Sequence, residues 1–145
     1  MNRPRYETAL DLSNEENAAN VIEKAWGVSV SKIPDSYGAD WMISRGKLQV
    51  GWGEYKRRKM SWGQYATIVL SVRKIADLIR LADVGGKALF FVEANDGLRY
   101  ADVYANDQFQ IEIGGRTCKT RDSADIEPVV HLKTSRFKKV EERSK

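Results

Sequence analysis

The order of helical and extended patterns along the chain predicts an α/β (α+β) fold, with a central mixed β-sheet flanked by helices. Apolar residues recur at helical spacing in two segments, residues 14–26 and 72–83, and short extended runs bounded by turn residues lie between and after them. With 145 residues and 42% hydrophobic content, the chain is long enough for one core and too short for two. We therefore expect a single domain over residues 1–132 and a charged, solvated tail over residues 133–145.

Composition limits the chemistry that is available. Cys118 is the only cysteine and His131 the only histidine, which excludes an intramolecular disulfide and zinc sites built from thiolates or two histidines. Any bound metal must therefore be held by oxygen atoms, and we expect His131 to be structural. The net charge of +4 permits nucleic-acid binding without proving it. The chain begins without an apolar signal core, and no apolar run is long enough to span a membrane, so we expect a cytoplasmic protein without a membrane partner.

The first predicted helix, residues 14–26, begins at polar capping residues and ends at Gly27. Stepping back four residues from the apolar Ala19 places Glu15 on the core-facing side, whereas Glu16 lies on another face. A charged carboxylate on a core face is costly unless it is paired or bound to a metal. Glu15 is therefore a candidate metal-binding acid; the alternative is a first-turn glutamate that still reaches solvent.

A β-hairpin is predicted next, with strands at residues 40–44 and 48–56 around a turn at Gly46. In the second strand, alternate side chains share a face, so an apolar stripe ends in Glu54 and Lys56. Asp40 lies about six residues before the turn and Glu54 about eight after it. Both carboxylates should therefore meet at the open end of the hairpin.

The remaining predicted elements complete the sheet and its helices. Ser71 is the expected N-cap of the second helix, which Gly85 and Gly86 end. The turn Asn95-Asp96-Gly97 should join two strands into a second hairpin. The strands predicted after the second helix are residues 87–93, 98–104, 109–113 and 129–132.

Asp40, Glu54 and Lys56 offer two carboxylates and an ammonium, the groups that hold a divalent metal against a phosphodiester and position the attacking water. An acid followed at a distance by Glu-x-Lys is a weak signal alone. Here it lies at the open end of a hairpin, after a helix with an inward glutamate and before a basic run at residues 56–59. This context makes it a candidate active site.

In these motifs and their order, residues 14–104 resemble the PD-(D/E)XK, restriction-endonuclease-like nuclease superfamily, and look most similar to small phage-type nucleases and archaeal Holliday junction resolvases. The resemblance implies that Glu15, Asp40 and Glu54 bind Mg²⁺, for which Mn²⁺ should substitute. It also implies that the main-chain carbonyl of Tyr55 completes the metal shell and that Lys56 positions or activates the water. The implied activity is Mg²⁺-dependent DNA hydrolysis, with a structure-selective, junction-resolving role preferred.

The sequence departs from the superfamily pattern at one position. Proline often precedes the aspartate, whereas Ala39 precedes Asp40 here. Pro34-Asp35 is a competing literal match, but it precedes a turn-like stretch and lies too far from the open end of the hairpin. We therefore favour Asp40 as the metal-binding aspartate.

Several cations and polar residues near this site are candidate DNA contacts. They are Arg57, Arg58, Lys59, Gln64 and Lys74. Trp62 and Tyr65 could stack on unpaired bases, although packing roles are the simpler interpretation. Arg116 and Arg121 lie in a polar loop, where they either meet DNA or pair with neighbouring acids.

Other functions remain open at this stage. One is a non-catalytic nucleic-acid-binding module of the same fold, another is a single-strand or end-processing nuclease, and a third is a small structural or partner-binding protein. The expected partners are DNA, branched or single-stranded, and a second copy of the chain in a homodimer, which is an expectation by analogy. The sequence carries no motif that would read bases.

Overall fold

The computed structural model describes residues 9–34, 38–104, 110–115 and 126–141. Within this part of the chain, the elements run in the order that follows. They are α1 (Ala9–Trp26), β1 (Ser29–Lys32), β2 (Trp41–Arg45), β3 (Leu48–Arg57), β4 (Thr67–Ser71), α2 (Val72–Ala82), β5 (Lys87–Ala94), β6 (Gly97–Val103), β7 (Gln110–Gly115), β8 (Ile126–Lys133), a 3₁₀ turn (Thr134–Arg136) and β9 (Lys138–Lys139).

The strands form two sheets. The larger has six strands in the order β1-β2-β3-β5-β6-β9, and the smaller has three in the order β4-β8-β7. In the larger sheet β3 and β5 are parallel, with Glu54 opposite Phe90, and the other neighbours are antiparallel. The predicted central mixed sheet is confirmed. The smaller sheet was not predicted, because β4 was not assigned as a strand, although its sequence is rich in β-branched residues.

The two faces of the larger sheet are buried against different layers. Along β5, Leu89 and Phe91 point to one face and belong to a core cluster that includes Ala18 and Ile22 of α1. The alternate residues of β5 point to the other face and pack with α2 and the smaller sheet. That second cluster includes Ile75, Leu78, Phe90, Val92, Ile68 and Leu132. Each face is therefore covered by its own apolar layer.

Most predicted boundaries agree with the structure to within a few residues, and the first helix differs most. It begins at Ala9, so the polar residues Ser13 and Asn14 lie inside it rather than at its start. Helix propensity and capping preference are weak enough for packing to override them. Ser71 does precede α2, but its side chain makes no capping hydrogen bond.

The prediction of a solvated tail from residue 133 was wrong as far as Val140. β8 runs to Lys133, and β9 pairs with β6 through Lys138 and Lys139. Phe137 and Val140 are buried on opposite faces of the larger sheet. Two apolar residues spaced among lysines are enough to anchor a segment whose composition looks like a solvated tail.

A segment that looks unremarkable in sequence adds the edge of the larger sheet. β1 is mostly exposed and pairs with β2, with Lys32 opposite Trp41. It was not predicted, because its side chains show no alternation of buried and exposed positions.

No helix in the described ranges has the length and apolar content needed to cross a membrane.

Candidate active site

Asp40 lies immediately before β2 and is fixed there by β3. Its main-chain N–H donates to the carbonyl of Gly53 at 3.0 Å, and its Oδ2 accepts the N–H of Tyr55 at 2.8 Å. Asp40 is thereby tied to the two residues that flank Glu54, through its main chain to Gly53 and through its carboxylate to Tyr55. The predicted meeting of Asp40 and Glu54 at the open end of the hairpin is confirmed.

Glycine at position 53 allows this arrangement. A Cβ at Gly53 would lie 3.0 Å from the ring of Phe91 and 3.2 Å from the ring of Trp41. Both rings therefore close over β3 on the α1 side. By strand alternation, Glu54 projects to the opposite face, on which α2 packs. The site lies where the apolar layer under α2 ends.

Glu54 is a buried acid with an unsatisfied oxygen. The residue is only 3% exposed, and its Oε1 has no hydrogen-bond partner among the described residues. Burial raises the pKa of Glu54 to about 7, helped by the negative charge of Asp40, while Lys74 and Lys56 act in the opposite direction. Buried carboxylate oxygens are normally paired, so an orphaned oxygen beside a second acid is a feature that a cation would satisfy.

Lys56 follows Glu54 on the same face of β3. Burial lowers the pKa of Lys56, and the nearby positive charge of Arg58 lowers it further, whereas Glu54 acts in the opposite direction. Its ammonium therefore lies beside the two acids with part of its water shell removed. A lysine in this position can donate hydrogen bonds to a water molecule or a phosphate oxygen.

Glu15 faces inward, as the helical spacing predicted, and is 8% exposed, whereas Glu16 is exposed. Its Oε2 accepts a hydrogen bond from Nζ of Lys32 at 2.6 Å. Glu15 still raises the pKa of Glu54 through its charge. Within the described ranges, however, no group of three or more acidic, histidine or cysteine side chains is close enough to hold one metal ion. The fold therefore brings Asp40 and Glu54 together and leaves Glu15 paired with Lys32.

Lys74 enters the site from the first turn of α2. Its Nζ lies 3.8 Å from Oε2 of Glu54. Sequence reasoning treated Lys74 as a cation at a helix start and missed this ion pair. The available signal was its position four residues before Leu78, which is fully buried against the sheet. Lys32 was also missed, because the strand that carries it was not predicted.

The basic run after Lys56 is held by other protein groups. Arg57 forms an ion pair with Glu93 at 3.6 Å, and Arg58 donates to the carbonyl of Val69 at 3.1 Å. Lys59 is exposed. These three cations directly follow Lys56 in the chain. Their contact with DNA remains a prediction.

The loop between β3 and β4 carries the aromatic candidates. Trp62 packs edge-on against Phe137 beneath the guanidinium of Arg99, so its predicted packing role is confirmed. Tyr65 is 58% exposed, so the packing interpretation was wrong for this residue. Gln64 is exposed, and its Nε2 lies 3.4 Å from the hydroxyl of Tyr65. The loop thus presents a polar and an aromatic side chain to solvent.

Three of the remaining sequence candidates, Asp35, Arg116 and Arg121, lie outside the described residues. Nδ1 of His131 lies 3.0 Å from the hydroxyl of Thr67 across the smaller sheet, which agrees with its expected structural role.

Comparison with known proteins decides the family. The model of the phage PDDEXK endonuclease family matches residues 1–140, which is nearly the whole chain. The chain belongs to this family. This family is described as an endonuclease family, so the chain is a nuclease whose substrate class is DNA. The resemblance to the PD-(D/E)XK superfamily seen in the sequence is confirmed.

A solved structure shares the fold. Hjc, a Holliday junction resolvase from the archaeal hyperthermophile Archaeoglobus fulgidus, superposes with a TM-score of 0.59 at 16% sequence identity. The match covers 89% of this chain and 90% of Hjc. No curated protein sequence matches the chain. The restriction-endonuclease-like architecture of this PDDEXK endonuclease therefore extends over both chains at low identity.

Proposed function

We propose that the chain is a Mg²⁺-dependent DNA endonuclease whose metal is held by Asp40, Glu54 and the carbonyl of Tyr55. The observation that carries this proposal is the buried Glu54, with one oxygen unpartnered, beside the carboxylate of Asp40. The donors are all oxygen atoms, which suits Mg²⁺, with Mn²⁺ as a substitute. The residues present therefore fit the metal that the family pattern implies, and Glu15 contributes negative charge from the Lys32 side.

The protein groups would divide the reaction between them. When bound, the ion supplies positive charge at the scissile phosphate and lowers the pKa of a bound water. Lys56 donates hydrogen bonds from Nζ to the attacking water or to a phosphate oxygen. Its position on β3 directs its side chain to the same face as Glu54. Asp40 is held by the Tyr55 amide, so little reorganisation is needed before attack.

The direct test is cleavage of labelled DNA with Mg²⁺, with Mn²⁺, and with a chelator. Asp40→Asn and Glu54→Gln should each reduce the single-turnover rate by at least about 10³-fold, because each removes a metal ligand. Asp102→Asn is the matched control: it also removes one carboxylate, but Asp102 pairs with Lys87 at the other end of β5. Metal-independent cutting, or cutting that survives both active-site changes, would refute the proposal.

We further propose that the enzyme prefers branched DNA, acts as a homodimer and works in the cytoplasm of an infected bacterial cell. The support is the fold shared with a Holliday junction resolvase over most of both chains. A four-way junction should be cut faster than linear duplex of the same sequence, and light scattering should give twice the monomer mass. Equal rates on both substrates would remove the branched preference and leave the nuclease proposal standing.

One observation favours a second substrate class, single-stranded DNA. The exposed ring of Tyr65, with Gln64 beside it in the loop that follows β3, suits stacking on an unpaired base. Tyr65→Ala should then slow cutting of single strands and of junctions with unpaired bases by about tenfold. Cutting of a fully paired duplex should change little. A uniform loss on all substrates would argue against stacking.

A further inference from the structure

The ammonium of Lys74 approaches Glu54 from solvent. The distance between Nζ and Oε2 is 3.8 Å, which is an ion pair and too long for a hydrogen bond. The Lys74 side chain is 39% exposed, whereas that of Glu54 is 4% exposed. Glu54 therefore has a cationic neighbour that is close enough to attract it and is not locked in place.

The two acids and the two lysines that act on Glu54 balance in formal charge without a metal ion, and Arg58 adds a further positive charge beside Lys56. Asp40 and Glu54 are matched by Lys56 and Lys74, and Glu15 on the other side is matched by its own Lys32. A divalent ion added at the two acids leaves these acids and lysines with two positive charges in excess. The transition state of phosphodiester hydrolysis carries two negative charges, so the excess is useful only when DNA is present.

Lys74 and a metal ion have the same target, the carboxylate of Glu54. Two cations close to one carboxylate repel each other, so each weakens the binding of the other. Lys56 cannot leave easily, because it projects from the part of β3 that is paired with β5, and burial removes part of its water shell. Lys74 has a flexible stem at a helix end and solvent beside it, and three donor hydrogens that suit a phosphate oxygen.

We propose that Lys74 exchanges partners during the reaction, pairing with Glu54 before the divalent ion binds and with a non-bridging oxygen of the scissile phosphate afterwards. This inference rests on the proposed metal-dependent function. It makes Lys74 a residue that opposes metal binding in the free enzyme and assists cleavage in the complex with DNA.

The two roles predict opposite changes in one variant. Lys74→Met keeps most of the side-chain stem and removes the charge. Calorimetry with Mn²⁺ and no DNA should show about 5- to 10-fold tighter binding, because the competing cation is gone. Single-turnover cleavage at saturating Mn²⁺ should fall by at least about tenfold, because the phosphate loses a contact.

Two further variants separate charge from position. Lys74→Arg retains the charge, so its Mn²⁺ affinity should stay within about threefold of wild type. Lys47→Met removes an equal charge from the turn at the closed end of the hairpin and should change neither quantity. Thermal unfolding of all three variants, with and without Mn²⁺, shows whether each is folded.

Each alternative outcome overturns the exchange. Unchanged or weaker Mn²⁺ binding by Lys74→Met means that Lys74 does not compete for Glu54. Faster or unchanged cleavage means that Lys74 does not reach the phosphate, and a loss of both functions with a lower melting temperature assigns it a purely structural role. If the wild-type protein neither binds Mn²⁺ nor cuts DNA, the proposed function is wrong. If the wild-type protein does both and only Lys74→Met departs from expectation, the exchange alone is wrong.

Discussion

The two buried glutamates, Glu15 and Glu54, lie on opposite faces of the larger sheet and are treated differently by the fold. Glu15 on α1 accepts a hydrogen bond from Lys32 at 2.6 Å. Glu54 on β3 has its nearest lysine at 3.8 Å and an oxygen without any partner among the described residues. The same residue type is thus satisfied on one face and left unsatisfied on the other.

This difference separates a carboxylate that is already paired from the one that our proposal assigns to the metal ion. The pair of Glu15 and Lys32 joins α1 to β1, as does the nearby hydrogen bond from the Val30 N–H to the carboxylate of Glu23. Glu54 has only the long ion pair with Lys74, and a buried carboxylate without full hydrogen bonding is costly in the metal-free protein. Unsatisfied buried charge is retained where a ligand restores the balance.

The largest expected effect is on catalysis. With saturating Mg²⁺, Glu54→Gln should reduce the cleavage rate by about 10³-fold or more, and Glu15→Gln by less than about tenfold, because Glu15 is already paired. Single-turnover rates measure both. Equal losses in the two variants would mean that Glu15 and Glu54 do not differ in role. Glu15 would then be a metal ligand, as the family resemblance implied.

The second effect is a pH dependence of stability. The carboxyl pKa of Glu54 is raised from 4.5 to about 7 by folding, so between these values the unfolded chain binds fewer protons than the folded one. Stability of the metal-free protein should therefore fall as pH rises from 4.5 to 7, by on the order of 3 kcal/mol. Urea unfolding across this range should show the slope in wild type and not in Glu54→Gln. A matching slope in the variant would mean that another group causes it.

The smallest effect concerns the satisfied pair. Lys32→Met leaves the buried Glu15 carboxylate without its ammonium and should cost about 1–3 kcal/mol of unfolding free energy. Lys47→Met, in an exposed turn, should cost less than about 0.5 kcal/mol. Urea denaturation at pH 8 compares them. If Lys32→Met costs no more than the control, the pair does not anchor α1.

Strong periodic patterns made much of the fold predictable. The hairpin of β2 and β3 and the apolar face of α2 were readable, because alternation and helical spacing are properties of single segments. β1 and β9 were not, since these short strands are specified by the neighbours with which they pair, whereas β4 carries a run of β-branched residues that was not assigned. Tertiary pairing, unlike periodicity, leaves little trace in a short run of residues.

The same distinction holds for the site. Asp40, Glu54 and Lys56 were identified from spacing within one hairpin, and the structure brings them together. Lys32 and Lys74 reach the acids from a strand and a helix that are distant in sequence. Their partners could be known only after the layers of the fold were assembled.

The hydrogen bond between Asp40 and the Tyr55 amide also links the pairing register of β2 and β3 to the candidate site. Asp40 contacts β3 twice, through its main-chain N–H to Gly53 and through its carboxylate to Tyr55. If β2 and β3 paired with their register shifted by two residues, the side chains would stay on their usual faces. Both of these contacts would be lost. The two acids would also no longer meet. Under the proposed function, a mispaired copy would therefore lack the metal site, and a misfolded molecule would not cut DNA.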